Sequence, residues 1–243
     1  MARRRFFVPE VRRGSAELSG HDAEHLVRVL RVEPGQVYEL SDNQSVYLAE
    51  IEFARKSAVG FRILEKLPQP APSVHITICA ALIKFEHFEW LIEKVTELGA
   101  AVIQPIASIR AERGLAQASR KRSSRWERIA LEASQQSRRA HLPEIAPVIG
   151  FNDALRSEAD VRLLLDENPE AASILQVVPA TRSTQDRVIL LVGPEGGWTE
   201  EERQQALSAN WSACSLGRNV LRAETAAISA LAVIQAAWNA VIY

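Results

Sequence analysis

At 243 residues and 47% hydrophobic content the chain can bury a sizeable core, and the length suits a small domain joined to a medium one. A net charge of −1 and a pI near 6.5 exclude a bulk attraction to polyanions, so nucleic-acid binding would have to come from how the charge is distributed. The only cysteines, Cys79 and Cys214, have neither C-x-x-C nor metal-ligand spacing, which excludes a disulfide framework and reads as a reducing cytoplasm.

Residues 5–66 read as short strands: Phe6–Val8, Val37–Leu40, Val46–Ile51 and Ser57–Leu64. Pro34-Gly35 and Asp42-Asn43 punctuate them, and one helical segment, Ala23 to Leu30, interrupts. The pattern is that of a small β-barrel module. Pro68, Pro70 and Pro72 favour a stiff, extended connector over Leu67–Ser73, the predicted domain boundary. Beyond it strands and helices alternate. Val74–Leu82 is an apolar strand, and Glu86–Leu98 carries Phe88, Leu91, Ile92 and Val95 at helical spacing before Gly99 ends it. Strand Val102–Ile106, a basic helix over Arg122–Ser137 and strands Val161–Leu165 and Val188–Val192 follow. Thr199, with Glu202 three residues on, opens a helix as a capping box, and a last helix runs from about Thr225 to Trp238. This alternation predicts an α/β domain with a mostly parallel sheet covered on both faces. The apolar stretch Ala226 to Ala240 is too short, and too interrupted by Ser229, Gln235 and Asn239, to span a bilayer; a soluble protein without membrane association is expected.

Charge is uneven along the chain. Residues 110–139 carry Arg110, Arg113, Arg120, Lys121, Arg122, Arg125, Arg128, Arg138 and Arg139 against Glu112, Glu127 and Glu132, and the N-terminus adds Arg3, Arg4, Arg5, Arg12 and Arg13. Such a run is often only a solvated face. Here Trp126, Ile129, Ala130 and Ala133 fall on one side of an amphipathic helix, which predicts ordered arginines able to meet phosphates and stack on splayed bases. Two loops stand out as backbone-rich and poor in side chains. Gly193-Pro-Glu-Gly-Gly197 follows a buried strand and precedes a capped helix, the edge of an α/β sheet where ligands bind; a tight turn with no ligand would have the same pattern. Ser215–Arg222 leads into the last helix, where Arg222 and Glu224 read most plainly as a surface ion pair. Signatures of Rossmann dinucleotide enzymes, P-loop nucleotidases, zinc proteases and α/β-hydrolases are absent, and the five histidines have no metal-site spacing, so no metal is implied.

Assembled, these residues resemble the small-subunit ribosomal RNA methyltransferase E family (RsmE) of the SPOUT superfamily. His25–Arg31 with Pro34-Gly35 resembles its N-terminal PUA-like barrel. Lys84, Glu89 and Lys94-Val-Thr-Glu-Leu-Gly99 resemble its first catalytic-domain helix; Gln136-Ser137, Arg139 and Pro143-Glu144 its basic loop; Leu191–Gly197, Leu216-Gly217 and Val220–Ala226 its cofactor loops. The chain departs from the pattern at Phe85 and His87, where the family usually has Gly and Arg, at Arg138 in place of Gly, and at Arg218-Asn219. The resemblance implies a PUA-like RNA-binding β-barrel over 1–70 and a SPOUT α/β domain with a C-terminal trefoil knot over 71–243. It implies a homodimer in the bacterial cytoplasm that uses S-adenosylmethionine to methylate N3 of a uridine in the decoding region of 16S rRNA, within the small ribosomal subunit. Cofactor-binding residues would be Leu165; Gly193, Pro194, Glu195, Gly196 and Gly197; Leu216, Gly217, Arg218, Asn219, Val220 and Leu221; and Ala226. Arg222 is the candidate to stabilise charge on the uracil carbonyls, with Glu224 orienting it or removing the N3 proton. Arg3, Arg4, Arg5, Arg28, Arg31, Lys84, Arg110, Arg138 and Arg139 would meet RNA. Two alternatives stay open: a SPOUT methyltransferase acting on another RNA or a ribose 2′-hydroxyl, and a non-catalytic ribosome-assembly factor.

Overall fold

The computed structural model describes residues 4–68, 73–168 and 170–240, so Arg3 and most of the proline-rich connector lie outside the description. The chain divides into two compact units, Met1–Ala71 with Ser134–Leu142, and Pro72–Ala133 with Pro143–Tyr243.

In the first unit, β1 (Arg5–Phe7), β2 (Ser15–Ser19), α1 (Gly20–Arg28), β3 (Val37–Ser41), β4 (Val46–Arg55) and β5 (Ala58–Lys66) form a five-stranded sheet ordered β1-β3-β4-β5-β2 and one helix. Only β1 and β3 pair in parallel. Phe6, Leu18, Leu40, Ile51, Val59 and Phe61 meet Ala23 and Leu26 of α1 in one core. Strand β2 escapes a hydropathy reading because just Ala16 and Leu18 of its five residues point inward, giving too brief an alternation to stand out. Ser134–Leu142 joins this unit through hydrogen bonds to remote residues. Ser41 Oγ donates to the Ala140 carbonyl at 2.6 Å, and the Leu142 N–H donates to Asn43 Oδ1 at 2.7 Å. No local pattern encodes such pairings, which is why a sequence boundary at 70/71 cannot anticipate this return of the chain.

The second unit comprises β6 (His75–Ala81), α2 (Phe85–Glu97), β7 (Val102–Ala107), α3 (Leu115–Ser119), α4 (Ser123–Gln136, whose last turn passes into the first unit), β8 (Glu144–Ile145), β9 (Ile149–Gly150) and α5 (Phe151–Leu155). It continues with β10 (Val161–Leu165), α6 (Ile174–Val177), β11 (Arg187–Val192), α7 (Glu200–Ser208), β12 (Ser212–Cys214) and α8 (Ala223–Asn239). Every strand pairing is parallel, in the order β12-β10-β11-β6-β7-β8, with β9 also on β7. Alternate residues serve opposite faces. Ile76, Ile78, Leu163, Val188 and Leu190 pack with Phe88, Leu91 and Val95 of α2 and Ala227, Leu231 and Ile234 of α8. Cys79, Leu164, Ile189 and Leu191 pack with Phe151, Trp198 and Ala206 on the other side. Burial on both faces explains the uninterrupted apolar run of β11 and the largely apolar β6. Burial also pushes the thiols of Cys79 and Cys214 up to about 12, and the two sit in opposite cores. Gly99 takes φ +95 at the end of α2, the left-handed position that stops the helix where the sequence places its end.

The capping box of α7 reaches beyond its own helix. Glu202 is buried, its Oε2 accepts from the Thr199 N–H at 2.9 Å, and its Oε1 accepts from the Ile109 N–H at 2.9 Å. One carboxylate therefore holds the loop after β7 to the start of α7. Glu202→Ala leaves those donors without a protein partner, and denaturant unfolding should register a loss of about 2 kcal/mol or more. Glu202→Gln, which keeps one carbonyl acceptor, should lose about half of that.

Candidate active site

Strands β12, β10 and β11 lie side by side, and the loops near their carboxyl ends line a cleft of about 590 Å3, its open mouth included. Leu165, Asp166 and Glu167 form one wall, Gly193, Pro194, Glu195 and Gly197 a second, and Ser215, Leu216, Gly217, Asn219 and Leu221 a third, with Ala223 and Ala226 of α8 closing it.

Each wall is held by its own hydrogen bonds. Asp166 is buried and accepts from Arg203 Nε at 2.8 Å and Nη2 at 3.1 Å, a bidentate grip that fixes the turn and neutralises the carboxylate. Trp198, also buried, donates Nε1–H to the Leu165 carbonyl at 2.9 Å and so joins the first wall to the second. Ser215 exchanges backbone bonds with its surroundings, donating to the Ala172 carbonyl at 2.8 Å and accepting from Ile174 at 2.9 Å. Its Oγ accepts from the Gly217 N–H at 3.1 Å. Glu167 and Glu195 are exposed at the cleft, and no ion pair to either occurs among the described residues. A site with two exposed carboxylates and backbone-rich walls suits a ligand that carries positive charge and several hydroxyl or amino groups.

Several expected residues sit elsewhere. Gly196, Arg218 and Val220 are not part of the cleft lining, and Val220 is 75% exposed. A Cβ at Gly196 would meet the Arg110 side chain at 3.3 Å, whereas one at Gly197, at φ +66, would meet Glu167 Oε1 at 2.6 Å. Gly197 is thus the glycine whose missing side chain shapes the cleft. Val192, Trp198 and Ala223 join the lining beyond the residues expected to bind the cofactor, as does Ser215 at the head of the second loop, while Asp166 and Glu167 form the loop after strand Val161–Leu165, which the sequence already marks as a third wall of the pocket. Arg222 is the N-cap residue of α8, exposed and without an ion pair among the described residues. The surface pair with Glu224 read from the sequence does not form. Glu224 is buried, and its Oε1 instead lies 3.0 Å from Nδ1 of His87.

Over residues 69–235 the sequence matches the RNA methyltransferase domain family, and over 18–64 the RNA methyltransferase PUA domain. A Synechocystis relative, ribosomal RNA small subunit methyltransferase E, is 32% identical across 97% of this chain and 78% of its own length. The chain belongs to the ribosomal RNA small subunit methyltransferase E family. The Neisseria gonorrhoeae RsmE, solved bound to S-adenosyl methionine, superposes with a TM-score of 0.86 at 30% identity over 98% of both chains. A methyltransferase from Legionella pneumophila in complex with the same cofactor gives 0.87 at 30% identity, again over 98% of both.

Against this RsmE background the basic residues divide by what already engages them. Arg4, Arg31 and Lys84 are exposed and have no ion pair among the described residues, and Arg28 faces Glu24 at 3.8 Å. Arg5 and Arg138 do not fit the expectation of freely displayed RNA contacts. Arg5 donates Nη2–H to Glu39 at 2.7 Å, and Arg138 closes on the other oxygen of the same carboxylate. Arg138 also occupies φ +57, a left-handed position that favours the glycine usual in RsmE; its bond to Glu39 compensates. Burial pulls the Arg139 guanidinium down to about 10, still charged at neutral pH, and its Nε–H donates to the His141 carbonyl at 3.0 Å. Within the basic helix, Trp126, Ala130 and Ala133 are buried as its amphipathic pattern predicts, and Arg125, like Arg122 just ahead of it, pairs with Glu89.

Arg110, though exposed, is engaged in a different way. Its Nη1–H donates to the carbonyls of Gly196 at 2.8 Å and Trp198 at 3.2 Å, fastening the basic segment to the glycine loop. Arg110→Ala should therefore weaken binding of the methyl donor, by about fivefold if those two bonds contribute about 1 kcal/mol, as titration calorimetry would measure. An unchanged donor Kd with weakened RNA affinity would return Arg110 to the RNA surface.

Proposed function

We propose that this chain transfers a methyl group from S-adenosylmethionine to N3 of a uridine in the decoding region of 16S rRNA, in the small ribosomal subunit. The observation that carries the reading is the cleft at the ends of β10, β11 and β12, where backbone-rich loops and the exposed carboxylates Glu167 and Glu195 fit a cationic, hydroxyl-rich donor. Family membership and the cofactor-bound neighbours support it. When bound, S-adenosylmethionine supplies an electrophilic methyl on a sulfonium. The residues around it have to hold donor and acceptor in line and exclude water.

Uridine N3 lies on the pairing edge and carries a proton, so the base has to be unpaired or flipped to react. Negative charge builds on the carbonyl oxygens as that proton leaves, and Arg222, which stands between the lining residues Leu221 and Ala223 and has no ion pair among the described residues, is the group to stabilise it. Glu224 acts from behind Arg222, its carboxylate turned toward α2. The exposed basic residues Arg4, Arg28, Arg31 and Lys84 supply RNA contacts, so affinity for RNA should fall steeply with salt. The reading includes a homodimer, a trefoil knot in the segment leading into α8, and action in the bacterial cytoplasm.

Nucleoside mass mapping of 16S rRNA from cells with and without the gene tests it, beside purified protein acting on small subunits from the deletion strain. Gain of one N3-methyluridine is expected. Methyl on a ribose 2′-hydroxyl or in another RNA would replace the substrate, and absence of any methylated nucleoside would end the enzymatic reading.

A further inference from the structure

Glu224 is the second residue of α8, and its side chain is 5% exposed. Among the described residues its carboxylate meets one donor, Nδ1 of His87 on α2, at 3.0 Å. On the other edge of the imidazole, Nε2 lies 3.6 Å from Oε1 of Glu86, whose side chain is 80% exposed. His87 thus bridges a buried carboxylate and a solvent-facing one, and it links α2 to the first turn of α8. That turn carries Arg222 at its cap and sets Ala223 and Ala226 into the cleft wall. Other charged groups near this part of α2 are engaged or point outward. Lys84 is exposed and offers its carbonyl to the His87 N–H; Arg122 lies over the Phe85 ring and pairs with Glu89, as does Arg125. Glu86 and Glu224 are the carboxylates within 4 Å of the ring.

Resting on the function proposed above, we infer that His87 is a positioning residue whose protonation governs how firmly the first turn of α8, and Arg222 with it, is held against α2. Charged imidazole makes a charge-assisted bond to Glu224; neutral imidazole keeps only a weaker hydrogen bond. Histidine is the side chain that makes this change within the physiological pH range. An arginine here would hold α8 at every pH, and a glutamine would donate without charge.

The test compares wild type, His87→Arg and His87→Gln between about pH 5 and pH 8, the range in which an imidazole changes charge. Turnover on small subunits lacking the modification is measured with saturating donor, and donor Kd by calorimetry. Expressing each variant as a ratio to wild type at the same pH cancels steps common to all three, including ionisation of the uracil. His87→Arg should match wild type at the low end and exceed it by about tenfold at the high end, the difference between a neutral and a charged hydrogen bond. His87→Gln should run about tenfold below wild type at low pH and converge on it at high pH. Donor Kd should stay constant throughout. Ratios that do not vary with pH overturn the inference, and the glutamine series decides alone if the arginine variant does not fold.

A second measurement does not depend on activity. By NMR, the Ala223 and Thr225 amides should shift with the same midpoint as the His87 Cε1–H signal, and Glu224→Gln should abolish that coupling. Amides that ignore the histidine overturn the inference whatever turnover does. Wild type that incorporates no methyl at any pH, with coupled amides, overturns the proposed function instead.

Discussion

Gly197→Ala should weaken binding of the methyl donor by about tenfold or more while costing about 1–2 kcal/mol of stability, the penalty for placing a side chain in a left-handed conformation. The new Cβ lies 2.6 Å from Glu167 Oε1 at a backbone φ of +66. Because that oxygen is the free end of an exposed side chain, it can move aside at little cost in packing. Moving aside, however, withdraws one of the two exposed carboxylates from the cleft, so the loss should appear in affinity more than in folding. A double-mutant cycle separates the two contributions. In a Glu167→Ala background the same glycine change should have a smaller effect on donor Kd, leaving the backbone strain alone. Equal effects in both backgrounds would mean that Glu167 takes no part in holding the donor. Gly196→Val bears first on Arg110 at 3.3 Å and should act on the cleft only through the carbonyls that Arg110 holds.

Arg222→Ala should lower single-turnover methyl transfer by about 10²–10³, the usual effect of removing one donor that stabilises developing oxyanion charge, while donor Kd stays within a factor of about three. The structure makes this a clean substitution. Arg222 is exposed, has no ion pair among the described residues, adopts ordinary extended dihedrals at φ −64 and ψ 149, and contributes no side-chain cap to α8. Little stability therefore depends on its guanidinium. Arg222→Lys should recover part of the loss, since a point charge replaces the planar fork. If turnover and donor affinity fell together, Arg222 would be a wall of the cleft and not a group aimed at the reacting base.

The two glycine loops were legible in the sequence because each follows a strand and has few side chains of its own, a local property. The parallel sheet was legible for a similar reason, since the apolar runs of β6 and β11 alternate with the amphipathic spacing of α2. Less of the site could be read this way. Nothing local marks Trp198 as part of the site, and only the fold brings its Nε1 to a carbonyl 33 positions back. Arg110 and Arg5 belong to basic runs that read as RNA surface, yet their guanidinium groups are aimed at the Gly196 carbonyl and at Glu39. Charge patterning records which residues are basic and not which acceptors lie nearby.

What the amino-acid sequence determined unaided was whatever depends on neighbours within a few positions: where strands and helices alternate, where Thr199 and Gly99 start and stop helices, and which loops are bare enough to approach a ligand. Tertiary structure alone decided the pairings, such as His87 with Glu224 across 137 positions and Ser41 with the Ala140 carbonyl across 99. The reason is physical. A buried polar group must find a partner wherever the fold puts one, and its identity is set by packing in three dimensions, which a one-dimensional periodicity does not contain.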